Sequence, residues 1–334
     1  MTAQKTNSRL QILDALRGLA AIGVALVHFT VEMKPTIFQQ LCHWGWVGVD
    51  VFFVISGFII PYSLAKSGYV FRKDYGRFLL KRAIRLHPPY LAVVLILVLL
   101  GWYSATALGT PAPSLRIMAG EVALHASLLN GLLGRAWLSP VFWTLAIEFQ
   151  FYLVAGLVTP MLLAKSSAIR YSILVAILVA SLSPISKDWV LPHLPLFVIG
   201  ILAFLYDRKS ITVLVFLAGV ATAAVICAVS MGKPQALVAA FTALTIAFYR
   251  FPIPKWAIKL GALSYSLYLL HPLVGGYVIQ QFHPETLGTL WAQLLAVIVA
   301  MAVSAAAAWA FVRLVEAPSQ RASSAIRYRG SERL

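Results

Sequence analysis

Apolar stretches of about twenty residues alternate with short polar, basic segments along the whole chain. About 20 apolar residues are what an α-helix needs to cross a bilayer. Ten such stretches are read, at 10–31, 45–64, 86–106, 141–164, 170–185, 190–206, 211–231, 236–250, 260–281 and 288–315. Two of them, 170–185 and 236–250, are short for a crossing. The segment 114–133 mixes apolar and polar residues behind Pro111 and Pro113, and predicts a helix on the outer membrane surface. The pattern predicts an all-α polytopic membrane protein of about ten transmembrane helices. No small-residue cleavage site follows the first span, so it reads as a retained anchor. Residues 1–320 read as one transmembrane domain, and 321–334 as a short, basic, disordered cytoplasmic tail. No internal repeat appears, which weighs against a transporter built from two related halves.

Composition agrees. Of the 334 residues, 60% are hydrophobic and 11% charged, against roughly 25% charged in a soluble domain; the mean hydropathy is +0.85. A soluble globule, a disordered chain and a disulfide scaffold are excluded, the last because Cys42 and Cys227 are the only cysteines. The net charge of +16 takes its meaning from placement. With the N-terminus in the cytoplasm, 21 of the 27 Lys and Arg residues fall in cytoplasmic segments, five on the opposite side, and Arg17 within a span. Both termini inside and an even number of spans produce this asymmetry. The basic excess therefore reports topology and attraction to anionic membrane lipid, not nucleic-acid binding. The expected location is the plasma (inner) membrane.

Ionisable groups inside a bilayer are costly and mark function or tight pairing. Asp14, Arg17, His28, Asp50, Glu148 and His271 fall within spans. Arg17 and His28 are 11 positions apart, three helical turns plus about 20°, with roughly 16 Å of rise between them. They share one stripe of the first helix, Arg17 near its cytoplasmic end and His28 near the outer one. Asp14 is one turn from Arg17, a spacing that suits a structural ion pair as well as a functional one. An orienting carboxylate for His28 must come from another helix. Asp50, near the outer end of the second span, and Glu148, somewhat deeper in the fourth, are the candidates; Asp50 equally suits a helix cap. His28 alone is also readable as a hydrogen-bonded packing residue. Ser56 and Gly57 sit mid-membrane, where glycine permits close helix approach. His271 precedes Pro272, so a kink explains it as well as chemistry does.

His125 and Glu121 read as surface residues of the outer helix, and His43, His193 and His283 carry no signal. No compact cluster of His, Cys and carboxylates appears, so no metal is expected. The segment 66–85 reads as a basic anchoring loop. Within it Arg82 and Arg85, one turn apart and beside Lys81, can clamp a phosphate from the cytosol.

Four blocks carry a family resemblance: Leu13-Asp-Ala-Leu-Arg-Gly-Leu-Ala-Ala through His28-Phe, Gly48-Val-Asp-Val-Phe-Phe-Val-Ile-Ser-Gly-Phe, Trp143-Thr-Leu-Ala-Ile-Glu with Phe151-Tyr152, and Ser264-Tyr-Ser-Leu-Tyr-Leu-Leu-His-Pro. With the Arg82/Arg85 segment and Val315-Glu-Ala-Pro, they make the sequence resemble the acyltransferase-3 family of integral membrane O-acyltransferases. The resemblance implies about ten membrane helices and transfer of acyl groups, most often acetyl, from acyl-coenzyme A to hydroxyls of cell-surface sugars. It carries the family's essential first-helix Arg and His onto Arg17 and His28, and its helix-four Glu onto Glu148. A further basic residue before the first helix corresponds only to Arg9. Longer relatives add an extracytoplasmic esterase-like domain, and without one this chain is expected to complete transfer alone or with a partner.

Together these readings set the expectations. Acetyl-CoA is the donor, held by Arg82, Arg85 and Lys81, with Arg17 along its route. His28 is a general base or a transient acyl carrier, oriented by Glu148 or Asp50. Asp14, Ser56 and His271 are further candidates. The acceptor is a glycan or glycolipid such as exopolysaccharide or O-antigen. A transporter or flippase of a glycan intermediate, and a non-catalytic assembly partner, are the alternatives. A homo-oligomer is compatible with the sequence.

Overall fold

The computed structural model describes residues 2–328, with side chains from residue 10 onward. Arg9's side chain and the tail residues 329–334 lie outside the described residues. Every regular element among them is helical. In chain order these are α1 (Thr2–Thr30), α2 (Ile37–His43), α3 (Gly48–Lys66), α4 (Phe71–Ala107), α5 (Leu115–Ser127), α6 (Phe142–Leu162) and α7 (Ser167–Ala180). Then follow α8 (Leu194–Asp207), α9 (Val213–Ser230), α10 (Lys233–Phe248), α11 (Lys255–Leu270), α12 (Gly276–Gln280), α13 (Leu290–Phe311) and α14 (Ala317–Ala325). Among the described residues, seven runs are long and apolar enough to cross a membrane: Leu10–Thr30, Ile37–Lys66, Phe71–Ala107, Phe142–Leu162, Val213–Ser230, Lys255–Gln280 and Leu290–Ala325. Three shorter apolar helices, Ser167–Ala180, Leu191–Asp207 and Lys233–Phe248, match the remaining predicted spans. The chain is an all-α polytopic membrane protein.

Glycines set the tightest crossings. α1 packs chiefly on α11 and α3 on α8. A Cβ at Gly18 would lie 2.7 Å from Leu260 Cβ, and one at Gly200 would lie 2.9 Å from Gly57 Cα, so neither crossing admits a side chain. α8 is buried on all faces, from Leu194 to Leu205. Its apolar character serves the protein core, which is why it can be short.

Prolines remove amide donors, and at two sites in this chain a distant hydroxyl caps a carbonyl they free. Pro88 and Pro89 lie inside α4 and cannot donate to Ile84 and Arg85. Ser319 of α14 donates to the Ile84 carbonyl at 2.5 Å and lies 3.3 Å from that of Arg85. Pro160 frees the Gly156 carbonyl, which accepts from the Tyr69 hydroxyl at 2.9 Å. Pro272 sits in a π-helical turn, His271–Gly275, that joins α11 to α12, so the expected distortion at this proline is present.

Several expectations are corrected. The basic segment 66–85 is not a loop: helix α4 starts at Phe71 and carries the third span without a break, because Asp74, Phe78, Arg82 and Leu86 recur every four residues and form one buried stripe. The tail is not disordered through its described length. α14 runs past residue 320, Ser323 donates to the Lys81 carbonyl at 2.9 Å, and Tyr328 is buried against Tyr69. His125 is fully buried, not a surface residue. Its Nδ1 donates to the Glu121 carbonyl, its Nε2 accepts from the Leu138 amide at 3.2 Å, and it packs edge-on against Trp137 and Phe142. It thereby pins α5 to the start of α6.

Candidate active site

Two cavities lie end to end in the bundle. The first, of about 360 Å³, faces the basic end of the helices. α1 contributes Asp14 and Arg17 to it, α3 Ser56, α4 Arg82 and Arg85, α6 Glu148 and Tyr152, and the C-terminal region Glu316 and Gln320. Three arginines thus meet three carboxylates. Glu148 Oε1 accepts from Ser56 at 2.9 Å and from the Tyr152 hydroxyl at 2.7 Å. Glu316 is buried and accepts from Ser266 at 2.5 Å and Gln320 at 2.7 Å. Arg82 is buried, with its guanidinium over the rings of Phe78 and Tyr152. Its Nε has no hydrogen-bond partner among the described residues. Arg85 is exposed. Asp14 and Arg17 both line the cavity, and among the described residues no ion pair joins them. A buried cationic group with an unmet donor, backed by aromatic faces, suits phosphate or carboxylate oxygens.

The second cavity, of about 420 Å³, faces the opposite end. His28, Trp46, Asp50, Trp143, His193 and Gln235 are among its lining residues. Asp50 is 4% exposed and lies in the first turn of α3, yet caps nothing: the helix starts without a side-chain cap, and Asp50 Oδ2 has no partner. His193, expected to carry no signal, is buried here between Phe53 and Trp143.

The partner of His28 is a second histidine, not a carboxylate. His28 Nδ1 lies 2.9 Å from Nε2 of the fully buried His271, whose Nδ1 lies 3.1 Å from the Leu267 carbonyl. A carbonyl only accepts, so the network assigns a proton to His271 Nδ1. Neutral His271 then accepts at Nε2, and His28 Nδ1–H is the donor. His28 Nε2 is left with its lone pair, the form a general base requires. The half-buried imidazole lines the second cavity.

Of the residues singled out in the sequence, Asp14, Arg17, Ser56, Arg82, Arg85 and Glu148 converge on the first cavity, and His28 and Asp50 on the second. Lys81 points away from both: its Nζ donates to the Ile326 carbonyl at 3.3 Å and lies over the Tyr328 ring. Glu148 serves the first cavity and does not orient His28. Glu316, Tyr152, Tyr268, Trp46 and the cavity role of His193 were missed. The Val315-Glu-Ala-Pro block offered a signal for Glu316, and the Phe151-Tyr152 and Ser264-Tyr-Ser-Leu-Tyr blocks contained Tyr152 and Tyr268 without indicating a role; Trp46 and His193 are positions whose convergence depends on helices far apart in sequence.

A family model described as an acyltransferase domain matches residues 10–311. Protein 2 in the picA locus of Rhizobium radiobacter is 31% identical over 157 residues, covering 46% of this chain and 76% of that relative. O-acetyltransferase OatA of Staphylococcus aureus is 29% identical over 164 residues, covering 46% of this chain. That match spans only 25% of the relative's own length. No solved structure matches the chain.

Proposed function

The chain belongs to the acyltransferase-3 family, and on that premise we propose that it moves an acyl group, acetyl in the first instance, from cytosolic acyl-CoA to a hydroxyl of a cell-surface or lipid-linked glycan. The basic end of the bundle faces the cytoplasm of a plasma (inner) membrane in this reading, an orientation that the asymmetry of Lys and Arg supports. The donor enters the first cavity. Arg85 at its mouth and Arg82 within take the phosphates, and Arg17 lies farther along the same path. Glu148, Glu316 and Asp14 balance these guanidiniums in a setting that would otherwise repel them from one another.

The acceptor enters the second cavity from outside. Trp46 and Trp143 offer apolar faces to a sugar ring, and Asp50 holds an unused acceptor oxygen for its hydroxyls. His28 Nε2 takes the proton of the reacting hydroxyl as its oxygen bonds to the acyl carbon. The carbon–sulfur bond breaks, and the departing thiolate recovers the proton from His28. His271 holds His28 in the required tautomer and remains hydrogen-bonded to the imidazolium.

The observation that carries this reading is that one helix presents Arg17 to a cavity at one end and His28 to a cavity at the other. Donor and acceptor can therefore approach from opposite faces. The test is incorporation of label from acetyl-CoA into membrane glycan. His28→Ala should lower it by about 100-fold or more in folded protein while leaving a measurable remainder, and retention of full incorporation would discard the role of His28.

A further inference from the structure

The two cavities have two wall residues in common, Val49 and Tyr268. Tyr268 is 5% exposed and is held from three sides. The Tyr268 hydroxyl lies 2.8 Å from that of Thr144 in α6, a bond in which either can donate, and both hydroxyls reach the Val141 carbonyl, Thr144 at 2.8 Å and Tyr268 at 3.4 Å. The ring meets Phe52 of α3 edge-on at 5.5 Å and His271 at 5.9 Å between centroids. One aromatic side chain, locked by a hydrogen bond and two rings, thus stands between a charged chamber reached from one end and a chamber reached from the other.

We infer that Tyr268 is the partition between the two chambers, closed to bulk water while the acyl arm of the bound donor reaches past it to His28, and that it decides whether the activated acyl group passes to the acceptor or to water. The chemical half of this inference rests on the acyl-transfer reading; the sealing half does not. With the partition breached, water from the outer chamber meets the thioester. Its oxygen bonds to the acyl carbon, the carbon–sulfur bond breaks, its proton passes to the thiolate, and free acid and coenzyme A thiol result. Excluding water from such a centre is a recognised means of suppressing this side reaction. Tyr268 is in this sense a specificity-determining residue, selecting glycan over water.

The seal is tested in membrane vesicles of the full chain with a membrane-impermeant maleimide applied to either face. Ser56→Cys reports the first chamber and Trp46→Cys the second, in a Cys42→Ser background. The native Cys227, fully buried in α9, reports unfolding by becoming labelled. With Tyr268 intact, each reporter should react from one face only, and the two from opposite faces. With Tyr268→Ala, Ser56→Cys should react from both faces while Cys227 stays unlabelled. Tyr268→Phe, which keeps the ring, should preserve sidedness. Where Tyr268→Ala exposes Cys227, Tyr268→Leu is read in its place. Reaction of Ser56→Cys from both faces with Tyr268 intact, or one-sided reaction after the ring is removed, overturns the partition. Hydrolysis of acetyl-CoA without acceptor should rise several-fold in the breached variant. A breached seal with no rise overturns the chemical half alone.

Discussion

Replacing His271 by Phe isolates the histidine pair from the packing around it. Phenylalanine fills a similar volume and retains ring contacts with Phe29 and Tyr268, which pack edge-on against His271. What is lost is the 2.9 Å bond to His28 Nδ1, inside a site where His271 itself has no exposure, together with the 3.1 Å bond from His271 Nδ1 to the Leu267 carbonyl of its own helix. Removing the partner of a buried hydrogen-bonding group costs about 1–3 kcal/mol, which at about 1.4 kcal/mol per decade is roughly a 5–150-fold effect. The penalty should fall on kcat, because His28 Nδ1–H is no longer fixed and Nε2 loses its assured lone pair. The KM for acetyl-CoA should stay near its original value, since the arginines lie in the other cavity. The assay is label transfer from acetyl-CoA in membranes, run for His271→Phe, His28→Ala and the double variant. If the pair acts as a unit, the double variant is no worse than His28→Ala. Independent, multiplicative losses, or a folded His271→Phe with unchanged kcat, would refute the argument.

Three further outcomes follow from other contacts. Arg82→Ala should raise the KM for acetyl-CoA by about 10–100-fold, because a charge-assisted bond is worth about 1.5–3 kcal/mol; steady-state kinetics over a donor titration measure it, and an unchanged KM removes Arg82 from the donor site. Ser319→Ala leaves the Ile84 carbonyl, freed by Pro88, without its donor, so thermal unfolding in detergent should show a loss of about 1–3 kcal/mol. Gly200→Leu places a side chain where α8 touches α3 and should destabilise the fold by at least the 1–3 kcal/mol typical of overpacking, seen as a lowered melting temperature or failure to purify.

Much of this protein was decided along the chain itself. The apolar stretches, the mixed segment that forms α5 and the distribution of basic residues are local properties, because in lipid each spanning segment must satisfy its backbone within its own helix. Helical periodicity likewise placed Arg17 and His28 on one stripe. It also made the intramembrane carboxylates conspicuous, since a charge in hydrocarbon demands an explanation that local sequence cannot supply.

Which group answers each of those charges was left to the tertiary fold. Depth along a helix allowed Glu148 or Asp50 to meet His28, but rotation about each helix axis and the choice of neighbours are set by glycine-mediated crossings, and these brought His271, 243 positions away. The same crossings turned Glu148 toward Ser56 and Tyr152, and drew Lys81 toward the C-terminal segment. That segment looked unstructured because its composition is polar and basic. It is ordered because its serines meet carbonyls of α4, one of them freed by a proline in another helix. Tyr268 falls within the Ser264-Tyr-Ser-Leu-Tyr block, but a tyrosine in an apolar span points to no role until two cavities are found on either side of it.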